Sequence, residues 1–395
     1  MSPPKKELNR PRKKEALASE QALVNRPDIN TGVLSAGLLL ISIGIVMNYS
    51  TTAALALEHH LPPLFISHLG ALLLGGCAAY ATYSVPTSFW RRIALPLYLF
   101  SVLLLVGVEV AGVKVNGAQR WLAIPGLIRF QPVEICKFTT VIMVASLIAH
   151  RDGHEEVSLR RTIAAGALAL PPIGLLVMQP DLGNAVLLAG LVSLLLIVAG
   201  TRLTRLWAPA LIGVAAIALY VSQNTYALRR ITGFIDPWAT YRAEGFQLVQ
   251  SFVAFGRGGL FGVGLGNGQQ KLSYLPEAHT DFILALVAEE MGLVGILLVL
   301  AAFAMLMLAG TRIAQNCKDR FALLLAFGMT TLLTIPAVIN AAVVMGMLPT
   351  KGLTLPFLSY GRTSLIMNCA ALGLLLGLAR PEKPRSATTG VTAWR

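Results

Sequence analysis

The sequence predicts an all-α integral membrane protein with about ten transmembrane helices, both termini cytoplasmic, and a long extracytoplasmic loop between the seventh and eighth helices. Three observations predict it. Of 395 residues, 55% are hydrophobic and only 13% charged, whereas soluble domains carry about 25% charged residues. Apolar runs of roughly 20 residues, the length that crosses a bilayer, recur along nearly the whole chain. Finally, strict alternation of those runs puts 21 of the 32 Lys and Arg residues on one face, which the positive-inside rule makes cytoplasmic.

The elements follow in order. Residues 1–30 carry Lys5, Lys6, Arg10, Arg12, Lys13, Lys14 and Arg26. They lead into a full-length span, not a short h-region with a cleavage site, so they are expected to form a disordered cytoplasmic tail and not a signal peptide. The membrane domain covers 31–380, with runs near 32–50, 64–84, 92–113, 132–150, 162–179, 184–201, 206–222, 281–310, 321–347 and 357–379. Pro96, Pro171, Pro172, Pro209 and Pro336 fall inside runs and predict kinked or broken helices that face protein or water-filled cavities. The loop spans 223–280; its Phe246, Val249, Phe252 and Val253 recur at helical spacing, which predicts an amphipathic helix at the interface or packed on the bundle. Residues 381–395 form a second cytoplasmic tail. The net charge of +13 is explained by membrane orientation and does not point to nucleic acid. Cys77, Cys136, Cys317 and Cys369 lie far apart with no CxxC or metal spacing, and read as small hydrophobes.

Ionisable residues at membrane depth point to function, and they cluster on or near the outer side in four stretches. In "NGAQRWLAIPGLIRFQPVEICK", Glu134 and Lys137 share a helix face; an internal ion pair and a substrate-handling role are both open. Arg120 and Trp121 suit a headgroup-level anchor. In "QPDLGNA", Asp181 stands where a helix begins, which suits an N-cap, with a second role open. In "YLPEAHTDFILALVAEE", His279 and Asp281 enter a span. Thr280 or Asp281 suits a cap, and a partly desolvated carboxylate also suits a general base. Glu289 and Glu290 lie about 12 Å deeper and need cations, with Lys137 and Lys351 expected by depth. In "NAAVVMGMLPTKGLTLPFLSYGRTS", Lys351 sits between Pro349 and Pro356, and Arg362 suits snorkelling. "GVGLGNG" echoes a nucleotide loop, but no strand precedes it. His59, His60, His150 and His154 lack partners at metal spacing and read as solvated.

These four stretches, in this order from Asn116 to Ser364, resemble the motifs of the SEDS proteins (shape, elongation, division, sporulation), the FtsW/RodA/SpoVE family of bacterial cell-wall glycosyltransferases. Ala278 in "YLPEAHTDF" looks more like the division branch than the elongation branch. The family's "QPSE" and "SYGG" read "QPVE" and "SYGR" here, with Val133 and Arg362 as the departures.

The resemblance implies polymerisation of lipid II into glycan strands on the outer face of the cytoplasmic (inner) membrane, at the division septum. It implies Asp281 as general base and a class B penicillin-binding protein transpeptidase as partner, along with other division proteins and membrane lipids. The leaving pyrophosphate needs cations, for which Lys137, Lys351, Arg229 and Arg230 are candidates. Glu134, Asp181, His279 and Glu289 are expected in supporting roles. A divalent cation, Mg2+ or Mn2+, could share the pyrophosphate. A lipid II transporter, an elongation polymerase and a non-catalytic scaffold are the rival readings. The outward bias of the polar cluster speaks against a transporter, whose polar residues should be reached from both sides.

Overall fold

The computed structural model describes residues 29–53, 62–115, 118–124, 128–149, 156–274 and 279–380. Outside the described residues lie the basic tail, the segment 381–395, Asn116 and Gly117, Leu275 to Ala278, His59, His60, His150 and His154, and with them the expectations made for those positions.

A helix covers each of the ten predicted runs. In chain order they are α1 (Ile29–Ala53), α2 (Pro63–Ser84), α3 (Thr87–Ala111), α4 (Pro132–Ile148), α5 (Leu159–Met178), α6 (Leu182–Val198) and α7 (Thr204–Gln223). After two loop helices, α8 (Thr225–Ile235) and α9 (Phe246–Gly258), follow α10 (Ile283–Asn316), α11 (Arg320–Val344) and α12 (Arg362–Leu378). Seven of them, α1, α2, α3, α5, α7, α10 and α11, are long and apolar enough to cross a membrane. The apolar helices α6 and α12 have 17 residues each, as does α4, which carries Glu134 and Lys137. Local chemistry sets several starts: proline stands at the first turn of α2 and α4, where its missing N–H costs nothing, and Asp181 and Asp319 cap α6 and α11.

The core forms around α10 and α11. Ile283 to Val287 have no exposed surface, and α10 packs on α11, α1 and α9. Helices α2 and α12 run side by side, so close that a methyl group on Gly373 would stand 2.1 Å from the Ala79 carbonyl oxygen. Small residues permit such approaches where lipid supplies no hydrophobic drive. No residue of α7 is buried against the other described residues. In α9, Leu248, Val249 and Ala254 are buried, and Ser251 Oγ donates to the Val344 carbonyl at 2.8 Å. The helix is therefore packed on the bundle, the second of the two placements expected for it.

Two features depart from expectation. The connection after α3 holds a three-stranded antiparallel sheet, β1 (Val113–Val115), β2 (Ala118–Ile124) and β3 (Ile128–Phe130), with Val115 opposite Ala118 and Leu122 opposite Phe130. Asn-Gly between β1 and β2 is the standard two-residue hairpin signal. The second departure is the site of helix breakage. The prolines lie inside α3, α5, α7 and α11, each assigned as one continuous helix, whereas α10 breaks at Gly292 (φ 66°, ψ −162°). There the segment after α9 pairs with the helix backbone: Val263 N donates to Glu289 O, Gly264 N to Glu290 O, and Leu293 N to Gly259 O. Irregular backbone at membrane depth persists only when protein satisfies it, and this segment does so.

Candidate active site

Asp281 lies on the connection into α10. The N-cap of that helix is Phe282, without a side-chain bond, so neither Thr280 nor Asp281 caps it, contrary to one expectation. The connection is instead fixed through its carbonyls: Asn340 Nδ2 donates to Asp281 O at 2.7 Å, Ser359 Oγ to Thr280 O at 2.5 Å, and Tyr360 N to His279 O at 2.8 Å. The His279 ring lies 5.8 Å from that of Tyr360. The carboxylate of Asp281 stands over Gly352, where an added methyl group would come within 3.0 Å of Oδ2.

Gly352 follows Lys351, and four elements converge there. The Lys351 stem passes the start of α6, with Cδ 3.6 Å from the β-carbon position of Gly183. Asp181 accepts from Asn184 N at 3.4 Å and Asn184 Nδ2 at 2.9 Å, which is the expected cap, and also faces Arg120 Nε at 3.9 Å. Strand β2 brings Arg120 across, where it donates to the Gln179 carbonyl at 3.2 Å and to that of Pro180. Arg120 therefore belongs to this cluster, held by protein partners. From α8, Arg230 Nη1 donates to Thr350 O at 3.0 Å. Burial, then the neighbouring Arg230, hold the Lys351 ammonium below the usual lysine range; Asp181 pulls it back up and Arg120 lowers it further. An anion entering such a cluster relieves repulsion among its cations.

Glu134 and Lys137 form a buried ion pair at 2.7 Å. They line a narrow cleft with Thr354 and Pro356, from the segment that carries Lys351, and with Ser364 and Asn368. The departure at Val133 has a packing reason. Its side chain is buried among Leu105, Cys136, Leu176 and Leu188, where valine adds apolar contact. Val133→Ser, the residue of the resembling motif, puts a hydroxyl there and is expected to cost about 1–3 kcal/mol. Thermal unfolding in detergent measures it, and an unchanged midpoint would show that the hydroxyl finds a partner.

Three expectations are corrected. Arg229 does not join the cluster: its side chain is 71% exposed and faces Glu244 at 3.7 Å. Glu289 and Glu290 pair with neither Lys137 nor Lys351. Glu289 faces Arg257 at 3.2 Å and accepts from Gln269 N at 2.9 Å and Gln270 N at 3.1 Å. Glu290 binds Lys271 at 2.8 Å, Ser50 Oγ at 2.7 Å and Gly266 N at 3.0 Å. Thus the glycine-rich "GVGLGNG" segment cradles two of the protein's own carboxylates. A methyl group on Gly262 (φ 80°) would lie 2.2 Å from Glu290 O, so only glycine serves there. The sequence reading missed Ser50, Arg257 and Lys271. Two cations in a glycine-rich stretch flanking the buried glutamates were the available signal.

A family model described as "Cell cycle protein" and covering FtsW, RodA and SpoVE matches residues 31–384. A probable peptidoglycan glycosyltransferase FtsW of Coxiella burnetii is 40% identical over 87% of this chain and 94% of its own. Another, from Trichlorobacter lovleyi, is 39% identical over 86% and 90%. Among solved structures, a chain from work on the structural coordination of polymerization and crosslinking by a peptidoglycan synthase complex superposes with a TM-score of 0.71 at 28% identity, covering 88% of this chain and 96% of its own. The rod shape determining protein RodA of Thermus thermophilus superposes at 0.66 with 28% identity and the same coverage.

Proposed function

The chain belongs to the FtsW/RodA/SpoVE family, and from that premise we propose that it is a peptidoglycan glycosyltransferase that polymerises lipid II on the outer face of the cytoplasmic membrane, for septal wall synthesis. One observation carries the chemistry: the carboxylate of Asp281 stands over Gly352, next in sequence to a lysine set among Arg120, Asp181 and Arg230. A carboxylate beside the segment that carries this group of cations supports the reading of a base next to an anion site.

The 4-hydroxyl of an incoming N-acetylglucosamine gives its proton to Asp281 as its oxygen bonds to the anomeric carbon of the lipid-linked chain. The bond from that carbon to the pyrophosphate breaks, and the pyrophosphate leaves with the electron pair. Lys351, Arg230 and Arg120 meet the growing charge, the guanidinium groups suiting bidentate phosphate contacts. The Glu134–Lys137 pair shares a cleft with Thr354 and Pro356 and supports that segment. Among the described residues no three His, Cys, Asp or Glu side chains converge on a metal position. Mg2+ or Mn2+ bound with the pyrophosphate would help to neutralise its charge. A class B penicillin-binding protein, which crosslinks the product, is the proposed partner.

The test is a gel of glycan products from the purified chain, with that partner, incubated with lipid II. Polymer is expected. Its absence, with lipid II translocated across vesicles instead, would sink the polymerase reading. Lys351 adds a pH prediction. If its ammonium meets the leaving group, kcat/KM falls on the alkaline side, at a pH lower than an ordinary lysine would require. Lys351→Arg, always charged, is expected to remove that limb. In the folded chain Lys351 releases its proton earlier than in the unfolded chain, so unfolding takes up a proton between the two pKa values and this group's contribution to stability rises with pH there. An alkaline limb that persists in Lys351→Arg would assign it to another group.

A further inference from the structure

Of the three donors that hold the carbonyls of His279, Thr280 and Asp281, two have a second partner on the segment that carries Lys351. Asn340 Nδ2 gives its other hydrogen to Leu353 O at 2.8 Å. Ser359 Oγ, while donating to Thr280 O, accepts from Leu355 N at 2.8 Å. Each side chain is therefore a bridge between the two connections, and both are buried. Asn340 stands near the end of a span, between Ala337 and Ala341, which are themselves buried. A buried amide there carries a desolvation cost unless its hydrogens are placed, and both are donated to carbonyls.

We infer that Asn340 and Ser359 are positioning residues that set the separation between Asp281 and Lys351. The inference rests on the reading of those two groups as base and pyrophosphate partner. Neither bridge touches substrate; each acts through the backbone it holds. Tyr360, on the same connection as Lys351, adds a backbone tie to His279 O, and without the two side-chain bridges the connections lose two further ties. A shift of about 1 Å in a reacting group costs on the order of 10²-fold in rate.

The test uses the full chain with its transpeptidase partner and lipid II as substrate. Asn340→Ala and Ser359→Ala are each expected to lower kcat by about 10- to 100-fold, while KM for lipid II stays within about threefold. The thermal midpoint shows how much protein is folded, and kcat is expressed per folded molecule. A double mutant with Lys351→Ala separates positioning from general damage. If Asn340 works by placing Asp281 against Lys351, its effect shrinks to within about threefold once Lys351 is gone. Hydrogen exchange should quicken in 279–287 and in 351–358 together.

Wild-type kcat in both alanine variants overturns the inference, as does a loss that disappears after correction for folded protein, or losses that multiply in the double mutant. If Asn340→Ala does not fold, Ser359→Ala decides by the same measurements. Asp281→Asn in the same assay keeps the two readings apart. If it still makes polymer, the assignment of the base fails; if it is silent while both bridge variants run at the wild-type rate, only the bridges fail.

Discussion

Asp281→Asn is expected to lower lipid II polymerisation by about 10²–10⁴-fold, the usual contribution of a positioned base, without unfolding the protein. Asparagine keeps the size and shape of aspartate. The main-chain carbonyl that Asn340 holds is untouched, and no helix cap is lost, because Phe282 occupies that position. What disappears is the acceptor for the sugar hydroxyl's proton. The thermal midpoint and capture of the transpeptidase partner should therefore match the wild type while the glycan gel is empty. A folded variant within about threefold of wild-type activity would place the base elsewhere. The other outer-side carboxylates are poor substitutes, since Glu134 is committed to Lys137 and Asp181 to its cap and Arg120.

The second large effect is on stability. Lys271→Ala is expected to destabilise the protein by about 3–5 kcal/mol, the usual result of removing one partner of a buried ion pair. The Glu290 side chain is 0% exposed, and among the described residues it keeps Ser50 Oγ and Gly266 N once the ammonium is gone. The damage should reach α10, because the same segment completes the backbone of the helix at its break. Lys271→Met combined with Glu290→Gln removes both charges and is expected to recover part of the loss. The exposed pair Arg202–Glu156 is the control, since such pairs contribute about 0–1 kcal/mol. Thermal unfolding in detergent compares them, and a wild-type midpoint for Lys271→Ala would show that the cation is dispensable.

These expectations differ in how far each could be read along the chain. Helix positions were legible because the bilayer's thickness demands long apolar runs, and a helix lies on every predicted run. The hairpin could have been read from Asn116-Gly117 between alternating residues. The break in α10 could not be read from proline, since the prolines stay within continuous helices. It arises at Gly292, where another segment approaches the backbone.

By itself the sequence determined the fold class, the family, and the residue types available for the chemistry, Asp281 and Lys351 among them. Each of these is a local or summed property: hydropathy over a window, a motif in order. Only the tertiary structure decided which charges meet. It separated Arg230 from Arg229, drew Arg120 to Asp181, and paired Glu289 and Glu290 with Arg257 and Lys271. It also strapped the Asp281 connection to the Lys351 segment through Asn340 and Ser359. The physical reason is that a buried charge or amide takes whichever partner the packing of distant segments brings within about 3 Å, and spacing along the chain does not encode that distance.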